Sequence, residues 1–394
     1  MEYCMTQIPG ILDRQIDFDP AADFEAFLRL VPGKWVVYLF ADAHDQPLQL
    51  LCVKNLRSSL KRRLQGETIS LSKRIDYREI VRKIYWRRVD SAFEADWIYH
   101  DVARQVFPDS YQGMVGFRPA WFIHVDPEAQ FPRYTKSIQL TGKVGILVGP
   151  VEDKHAAARL IELIEDAFDL CRYFNILVEA PHGRACAYKE MGKCPAPCDG
   201  SISMDQYRLM IDWSVRTLAD PREIIRQQSD RMKQAAAELR FETAAKIKAF
   251  IDQLSQLGKG AYRHARPLRD FAYVTLQPGP SAATAKLFLI LPGSIEEIAN
   301  LIAEPARPSE LLRAVFTAAE TGADISLDKP GVERIGIASH HLFWPGQSHG
   351  VFIPLAELAD LSGKALLKAY KTVIRAERAE ESESEGVMKE LQAM

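Results

Sequence analysis

Four of the chain's six cysteines lie in one short segment, and this feature constrains the fold most strongly. The cysteine segment runs from Cys171 to Cys198 and has the sequence CRYFNILVEAPHGRACAYKEMGKCPAPC. It is punctuated by proline and has little hydrophobic periodicity, so it offers few side chains for a core of its own. We therefore expect thiol chemistry to organise this part of the chain.

The spacing of the four thiols narrows the kind of centre they could form. It is Cys171-x14-Cys186-x7-Cys194-x3-Cys198. Four thiolates can complete the tetrahedral shell of zinc, or bind one iron each in a [4Fe-4S] cluster. Structural zinc sites usually take ligands in pairs from two tight turns, whereas only Cys194 and Cys198 form a close pair here. The spacing favours the iron–sulfur cluster over zinc, and four unrelated buried cysteines are the remaining alternative.

Composition bounds the class of protein and its compartment. The chain has 394 residues, of which 47% are hydrophobic and 26% charged. These values are typical of a soluble globular protein with about two to four domains. No apolar run is long enough to span a bilayer, and the N-terminal sequence MEYCMTQIPGILDRQIDFDP does not resemble a signal peptide. We therefore expect a cytoplasmic protein with no membrane partner, in which clustered cysteines serve metal or redox chemistry.

Positive charge is concentrated in one stretch, the basic segment from Lys54 to Arg88. Twelve basic residues stand there against three acidic ones, a net charge of +9, so the rest of the chain sums to −11. Such a segment predicts a phosphate-binding face, and a solvated helix surface is the alternative. The candidate phosphate contacts are Arg57, Lys61, Arg62, Arg63, Lys73 and Arg74.

Hydrophobic patterning predicts an α+β protein with several domains. After a short helical lead-in, GKWVVYLFADAHDQPLQLLCV predicts a β-hairpin, and NLRSSLKRRL predicts a helix. KHAAARLIELIEDAFDL, MDQYRLMIDWSVRTLAD and the stretch after Pro221 have helical periodicity. In the last region, FAYVTLQP and AKLFLILPG predict strands, SIEEIANLI and ELLRAVFTAAE predict helices, and SHHLFWPGQSHG predicts a loop with a buried Trp344.

The cysteine segment and the sequences that follow it, PAPCDGSISMDQYRLMI and RMKQAAAELRFETAAKIKAFIDQL, resemble the UvrC family, the C subunit of bacterial excinuclease. The resemblance implies a [4Fe-4S] cluster on Cys171, Cys186, Cys194 and Cys198, with zinc as the alternative. It also implies a helical hairpin, the UVR motif, that pairs with a similar hairpin in a UvrB-like partner. The partner-binding candidates are Met232, Leu239, Phe241, Glu242 and Ala245.

The sequence VVYLFADAHDQPLQLLCVKNLRSSLKRRL resembles the GIY-YIG nuclease domain that opens UvrC proteins. Such a site needs a tyrosine to orient water, an arginine to neutralise charge and a glutamate to hold Mg2+ or Mn2+. Tyr38 matches the first motif tyrosine, but the arginine position falls on Ser59 and the metal position on Tyr99. Asp96 or Asp101 could substitute only from another helix face. Tyr38 is therefore interpreted as a catalytic remnant, and a divalent metal is expected only in a nuclease-active protein.

The resulting organisation has seven parts. We predict a lead-in at 1–30, a GIY-YIG-like domain at 31–115, connecting strands and a helix at 116–165, a cysteine-rich cluster module at 166–200, a helical region with the UVR motif at 201–258, a small α+β C-terminal domain at 259–375 and a charged tail at 376–394. The RNase H-like domain that follows the UVR motif in the family is not recognisable.

The expected function is that of a UvrC-like, DNA-repair-associated protein that binds DNA and a UvrB-like partner without cutting. DNA would contact the six basic residues named above. One alternative is an active, metal-dependent, structure-specific DNA endonuclease of the excinuclease type. The other is a metal-cluster interaction protein that does not bind DNA.

Overall fold

A computed structural model describes residues 10–65, 76–116, 119–322, 327–344 and 350–393 of the chain, with side chains as far as residue 379. The described part is a multi-domain α+β structure built on three antiparallel sheets of four strands each, so the predicted fold class is confirmed at this level. The strands are β1 Arg14–Asp17, β2 Val36–Ala41, β3 Pro47–Val53, β4 Lys83–Arg88, β5 Trp121–Val125, β6 Thr135–Ser137, β7 Ile146–Val151, β8 Arg266–Pro267, β9 Tyr273–Pro278, β10 Ala285–Leu291, β11 Ser294–Leu301 and β12 Val351–Pro354.

Fourteen α-helices accompany these strands in the described ranges. They are α1 Phe24–Leu30, α2 Leu56–Leu64, α3 Tyr77–Ile80, α4 Ala92–Val106, α5 Tyr111–Met114, α6 Lys154–Ala167, α7 Phe174–Leu177, α8 Ala187–Glu190, α9 Met204–Ala219, α10 Pro221–Ala237, α11 Phe241–Leu254, α12 Pro308–Thr321, α13 Lys329–Phe343 and α14 Lys364–Ala393. Short 3-10 turns lie at Pro197–Asp199, Gly260–Tyr262, Leu268–Asp270 and Leu355–Leu358.

The N-terminal unit, residues 10–116, contains the first sheet in the order β1-β4-β2-β3. Successive side chains of a strand point to opposite faces, and β2 follows this rule. Tyr38 and Phe40 pack with α1 and α2, whereas Val37 and Leu39 pack with α4 on the other face. The predicted lead-in is not wholly helical, because Arg14–Asp17 pairs with β4 and completes the sheet edge.

The middle unit, residues 119–267, contains the second sheet in the order β6-β5-β7-β8, with α6 and α9 packed against it. Both helices begin at residues whose side chains cap the helix N-terminus. The Asp153 side chain accepts a hydrogen bond from the Ala156 N–H at 2.7 Å, and Ser203 and Gln206 form a capping box. These caps fix the helix ends on either side of the cysteine segment.

The C-terminal unit, residues 268–393, contains the third sheet in the order β11-β10-β9-β12. Helices α12 and α14 cover one face of this sheet. The other face packs on α13 and on α4 of the N-terminal unit, with Phe93 and Phe288 in edge contact. One apolar core therefore continues from the first sheet to the third.

Two local predictions in the C-terminal unit are wrong. SIEEIANLI is not a helix but strand β11, because Pro292 and Gly293 form a two-residue turn and Gly293 has a φ of +92°. Leu291 then pairs with Ser294, and strand pairing overrides the helical pattern. Trp344 is not a buried loop residue: it follows the last turn of α13 and is 37% exposed, because His341 and Leu342 take the inward positions.

Candidate functional site

The cysteine segment buries few side chains apart from its thiols. Its short elements are α7, α8 and the turn at Pro197–Asp199. Six of its side chains are buried, and three of these are cysteines: Cys171, Leu177, Cys194, Ala196, Pro197 and Cys198. Cys186 is half-buried at the start of α8, and all four thiols are free of disulfides. Cys171, Leu177 and Cys194 pack into the core of the middle unit, and the rest of the segment adds few buried apolar side chains.

Cys171 and Cys194 are in direct contact. Their interaction lowers the pKa of Cys194 to about 6 and raises the pKa of Cys171, whose thiol donates to the Tyr173 carbonyl at 3.6 Å. The Ala196 N–H further favours the Cys194 thiolate. Cys198 lies within electrostatic reach of both sulfurs, and burial raises the pKa of its thiol. The arrangement thus prepares one thiolate among neighbouring thiols.

Polar contacts brace the loop around these sulfurs. The Arg172 guanidinium donates to the Lys193 carbonyl at 3.1 Å and pairs with Asp166 at the end of α6. The Lys189 ammonium lies 2.5 Å from an Asp199 carboxylate oxygen, and the Gly183 N–H donates to the Cys198 carbonyl at 2.8 Å. These contacts link the parts of the loop that carry the cysteines to one another.

The donor set suits a soft metal centre, but it is only partly assembled. In the described ranges, no three His, Cys, Asp or Glu side chains are arranged to hold a metal ion. The contacts join Cys171 to Cys194, with Cys198 nearby, and do not include Cys186. Thiolates are the ligands that zinc and iron–sulfur clusters prefer. The cluster on these four residues remains a prediction.

Tyr38, the expected catalytic remnant, is sealed inside the N-terminal unit. Its ring is 0% exposed, and its hydroxyl lies 3.0 Å from the Ser59 hydroxyl on α2. Burial raises the pKa of Tyr38 above its ordinary value. Ser59 occupies the position that the resemblance assigns to the catalytic arginine, and the nearby Arg57 instead donates to the Leu28 and Val31 carbonyls. Tyr38 therefore has no path to a phosphodiester.

The position assigned to the metal glutamate does not meet Tyr38. Tyr99 is half-buried in the core on the α4 face of the first sheet, whereas Tyr38 lies in the core on the α2 face. Burial and the nearby Cys52 thiol raise the pKa of Tyr99. The structure brings Tyr38 and Ser59 together and leaves Tyr99 on the opposite side of the sheet.

Both possible replacement carboxylates on α4 are bonded to α13, and Asp101 is buried while Asp96 is exposed. Asp96 accepts from His341 Nε2 at 2.9 Å. Asp101 accepts from the Trp97 indole and from Arg334, both at 3.0 Å. His341 and Arg334 belong to α13, so the C-terminal unit occupies the acidic side of this helix.

A buried ion triad also joins the N-terminal and C-terminal units, and it was not predicted from the sequence. Lys286 on β10 lies 2.7 Å from Glu94 and 2.8 Å from Asp90. The exposed fractions of the three side chains are 8%, 0% and 6%. The available signal was a single lysine inside the apolar strand AKLFLIL, because a charge in such a place requires a buried partner.

The basic segment largely pairs with the protein itself. Lys61 forms an ion pair with Glu25 at 3.1 Å, Arg63 donates to Gln49 at 3.1 Å, and Arg62 is exposed. Lys73 and Arg74 lie outside the described residues. Four further cations of the segment bind acceptors of the chain: Arg78 at Pro20, Lys83 at Asp45, Arg87 at Glu297 and Arg88 at Asp90.

The predicted helical hairpin is formed by α10 and α11. Its turn places Leu239 at a φ of +59°, and the Arg240 N–H donates to the Ala235 carbonyl at 2.8 Å. Leu239 is 73% and Phe241 65% exposed, so the tip presents two large apolar side chains to solvent. The other candidates lie beside them on the hairpin, with Met232 half-buried and Glu242 and Ala245 exposed.

Comparison with known proteins shows which family and which relatives this chain resembles. Residues 120–217 match the UvrC/Cho excinuclease middle domain. UvrABC system protein C of Caldanaerobacter subterraneus subsp. tengcongensis is 26% identical over 249 residues, 60% of this chain and 39% of that protein. The protein of the same name from Lachnospira eligens is 22% identical over 282 residues, 69% of this chain and 45% of that protein.

A third protein of that name, from Thermoanaerobacter sp., is 27% identical over 229 residues, 57% of this chain and 37% of that protein. The chain thus spans about two fifths of the length of these relatives. No solved structure matches at a significant level. None of the helices in the described ranges has the length and apolarity needed to cross a bilayer. The resemblance of this chain to the UvrC family is confirmed, and the match to the UvrC/Cho middle domain covers residues 120–217.

Proposed function

We propose that this protein acts in DNA repair by binding DNA and a UvrB-like partner, without cutting the DNA itself. The observation that carries the second half is the buried Tyr38–Ser59 pair. A tyrosine can orient a water for attack only where water and phosphate reach its hydroxyl, and this hydroxyl is enclosed. The relatives' printed names concern the UvrABC system, which supports the connection to nucleotide excision repair.

The surroundings of α4 support the same proposal. Metal-dependent phosphodiester hydrolysis needs a carboxylate that holds the ion near the scissile phosphate. Glu94 and Asp101 are buried against cations of the C-terminal unit, and Asp96 is bonded to His341. Freeing Glu94 or Asp101 would break a buried contact between the two units, whereas the exposed Asp96 would lose one hydrogen bond to His341.

The hairpin tip supports a protein partner. Two exposed apolar side chains on one turn, Leu239 and Phe241, suit docking against the apolar face of another helical pair. We expect Phe241→Ala to weaken binding of a UvrB-like protein at least tenfold. Lys246→Ala, at an exposed lysine of the same helix, is the matched control and should change the binding affinity by no more than about twofold.

The four cysteines are proposed to hold a [4Fe-4S] cluster, with zinc as the alternative. When bound, the centre would cross-link Cys171, Cys186, Cys194 and Cys198 and so supply the folding free energy that the segment's sparse packing lacks. Arg172 and Lys189 hold the loops in place around them. A redox function is not required by this role.

The DNA-binding part rests on exposed cations. At the end of α2, Lys61 and Arg62 are exposed, and Lys73 and Arg74 belong to the same basic segment by sequence. Contacts of this kind bind phosphates without reading sequence, and their affinity falls steeply with salt. Arg57 and Arg63 are expected to contribute less, because both are held by acceptors within the protein.

One experiment separates the three functions considered. Anaerobically purified protein is mixed with a lesion-containing duplex and Mg2+ or Mn2+ at low salt, and both retention and strand nicking are measured. We expect binding that weakens across a salt series and no nicking. Nicking that Tyr38→Phe eliminates would establish the endonuclease instead, and absence of binding even at low salt would favour the interaction protein.

A further inference from the structure

A row of five cations runs along one side of α14. This cationic ridge consists of Lys364, Lys368, Lys371, Arg375 and Arg378, each of which is exposed. The intervals of four, three, four and three residues keep all five within a narrow sector of a helix that turns every 3.6 residues. The ridge is about 21 Å long at 1.5 Å per residue.

Packing fixes the direction in which the ridge points. The opposite side of α14 is buried in the core of the C-terminal unit through Leu366, Ala369, Tyr370, Val373 and Ile374. The Tyr370 hydroxyl also donates to the Ala283 carbonyl at 2.9 Å. The helix cannot rotate without exposing this apolar face, so the five cations are held toward solvent.

The ridge is chemically different from the basic segment. Of its five cations, only Lys371 forms an ion pair with another side chain of the described ranges, with the exposed Glu304 at 3.0 Å. Most cations of the basic segment instead bind carbonyls or carboxylates of the N-terminal unit and its neighbours. The ridge therefore keeps its charge available for an external anion.

The shape of the surface indicates a long ligand rather than a small one. A shallow groove of about 460 Å³ is lined by Lys364, Lys368, Lys371 and Arg375, and a second of about 490 Å³ by Ile302, Glu304, Lys371, Arg375 and Arg378. Both grooves are open along the helix. No aromatic ring of the ridge is exposed for base stacking, since Tyr370 is only 5% exposed. A duplex backbone fits better than a stacked single strand.

We propose that the cationic ridge on α14 is a nucleic-acid-binding surface that contacts the phosphates of duplex DNA without reading sequence. This inference rests on the proposed DNA binding and locates its main electrostatic contact in the C-terminal unit. Lysine and arginine side chains bind phosphate oxygens in this way and release counterions from the duplex. The ridge supplies four to five such contacts on one continuous helix.

The test compares two triple variants of the full chain on a fluorescent random-sequence duplex of about 30 base pairs. The ridge variant carries Lys368→Glu, Lys371→Glu and Arg375→Glu. The control carries Lys136→Glu, Lys154→Glu and Arg159→Glu on exposed positions of the middle unit, with the same change in net charge. We expect the ridge variant to bind at least tenfold more weakly and the control within about twofold. The slope of log affinity against log salt should fall by about two to three in the ridge variant, since each phosphate contact contributes roughly 0.9.

Several results would overturn the inference. Unchanged binding by the ridge variant would exclude the surface, and an equal loss in both variants would assign the effect to net charge. Ridge-dependent binding to anionic vesicles without binding to the duplex would assign the surface to a membrane. If the wild type fails to bind duplex at low salt, the proposed function fails as well. Lys368→Gln with Lys371→Gln, a milder pair on the same surface, should give a smaller loss in the same direction and serves if the charge reversals disturb folding.

Discussion

The N-terminal unit and the cysteine segment both contain residues suited to chemistry, but they use them in opposite ways. In the N-terminal unit, Tyr38 is bonded to Ser59, and the acids of α4 are bonded to the C-terminal unit. In the cysteine segment, half of the buried side chains are thiols, and few other side chains of the segment join the core of the middle unit. Polar groups that become internal contacts stabilise a fold, whereas we propose that the clustered thiols bind a metal centre.

The difference has a physical basis in burial. A hydroxyl or carboxylate loses reactivity once it is enclosed with a partner, because reaching a substrate would leave the partner unsatisfied. A thiol pair such as Cys171 and Cys194 gains reactivity when one sulfur becomes a thiolate. Four variants test this difference between the two regions.

Cys194→Ser should have the largest effect, because it removes one of the four proposed ligands and the sulfur that interacts with Cys171. If a metal centre folds the segment, the variant should lose bound metal and melt at least about 10 °C lower than the wild type. Metal content and circular dichroism melting measure both. Cys52→Ser, at a cysteine on β3 outside the segment, is the control. Equal melting temperatures for all three proteins would contradict the assignment.

Lys286→Met tests the closed interface of the N-terminal unit. It leaves Asp90 and Glu94 buried without their cation, which should reduce the free energy of unfolding by about 3–5 kcal/mol. Chemical denaturation gives the value. Lys246→Met, at an exposed lysine of the hairpin, should change it by less than about 0.5 kcal/mol. A similar small change at Lys286 would mean that the two units are not held together by this triad.

Glu165→Gln tests the burial of an acid on α6, the helix that precedes the cysteine segment. The quantity measured is the pH dependence of the free energy of unfolding. Burial raises the pKa of Glu165 to about 7, above the ordinary value of 4.5. The native state therefore favours the protonated acid, and its contribution to stability falls as pH rises from 4.5 to 7. The glutamine variant should be more stable than the wild type by about 1–2 kcal/mol at pH 8 and nearly equal at pH 4. An equal gain at both pH values would contradict the burial of this acid.

Tyr38→Phe should have the smallest effect. It removes the hydrogen bond to Ser59 and leaves that hydroxyl buried, which should reduce the free energy of unfolding by about 0.5–1.5 kcal/mol. Tyr262→Phe, at a half-buried tyrosine of the middle unit, is the control. A Tyr38 variant as stable as the wild type would indicate that the hydroxyl is not enclosed with Ser59.

Hydrophobic spacing and turn residues correctly predicted the helices and strands whose formation depends on neighbouring residues in the sequence. Leu56, Leu60 and Leu64 recur at helical spacing, and all three are buried in α2 as expected. The β2–β3 hairpin and the strands around Val274 and Leu289 were also predicted, because their apolar runs are bounded by turn residues.

Features set by distant contacts were not predictable in the same way. Residues 294–301 carry a helical pattern but form a strand, because the hairpin turn and β10 decide their pairing. The basic segment had the composition of a binding face, yet its arginines bind carbonyls that only the folded chain brings near. Lys286 and the acids of α4 lie about 190 residues apart in sequence and meet only through the interface.

Metal and sulfide analysis of the anaerobically purified protein tests the central contrast most directly. We expect a coloured protein with about four iron and four sulfide per chain, or a colourless protein with about one zinc if the alternative centre is present. A colourless preparation with neither iron nor zinc above trace levels, from a folded protein, would contradict it.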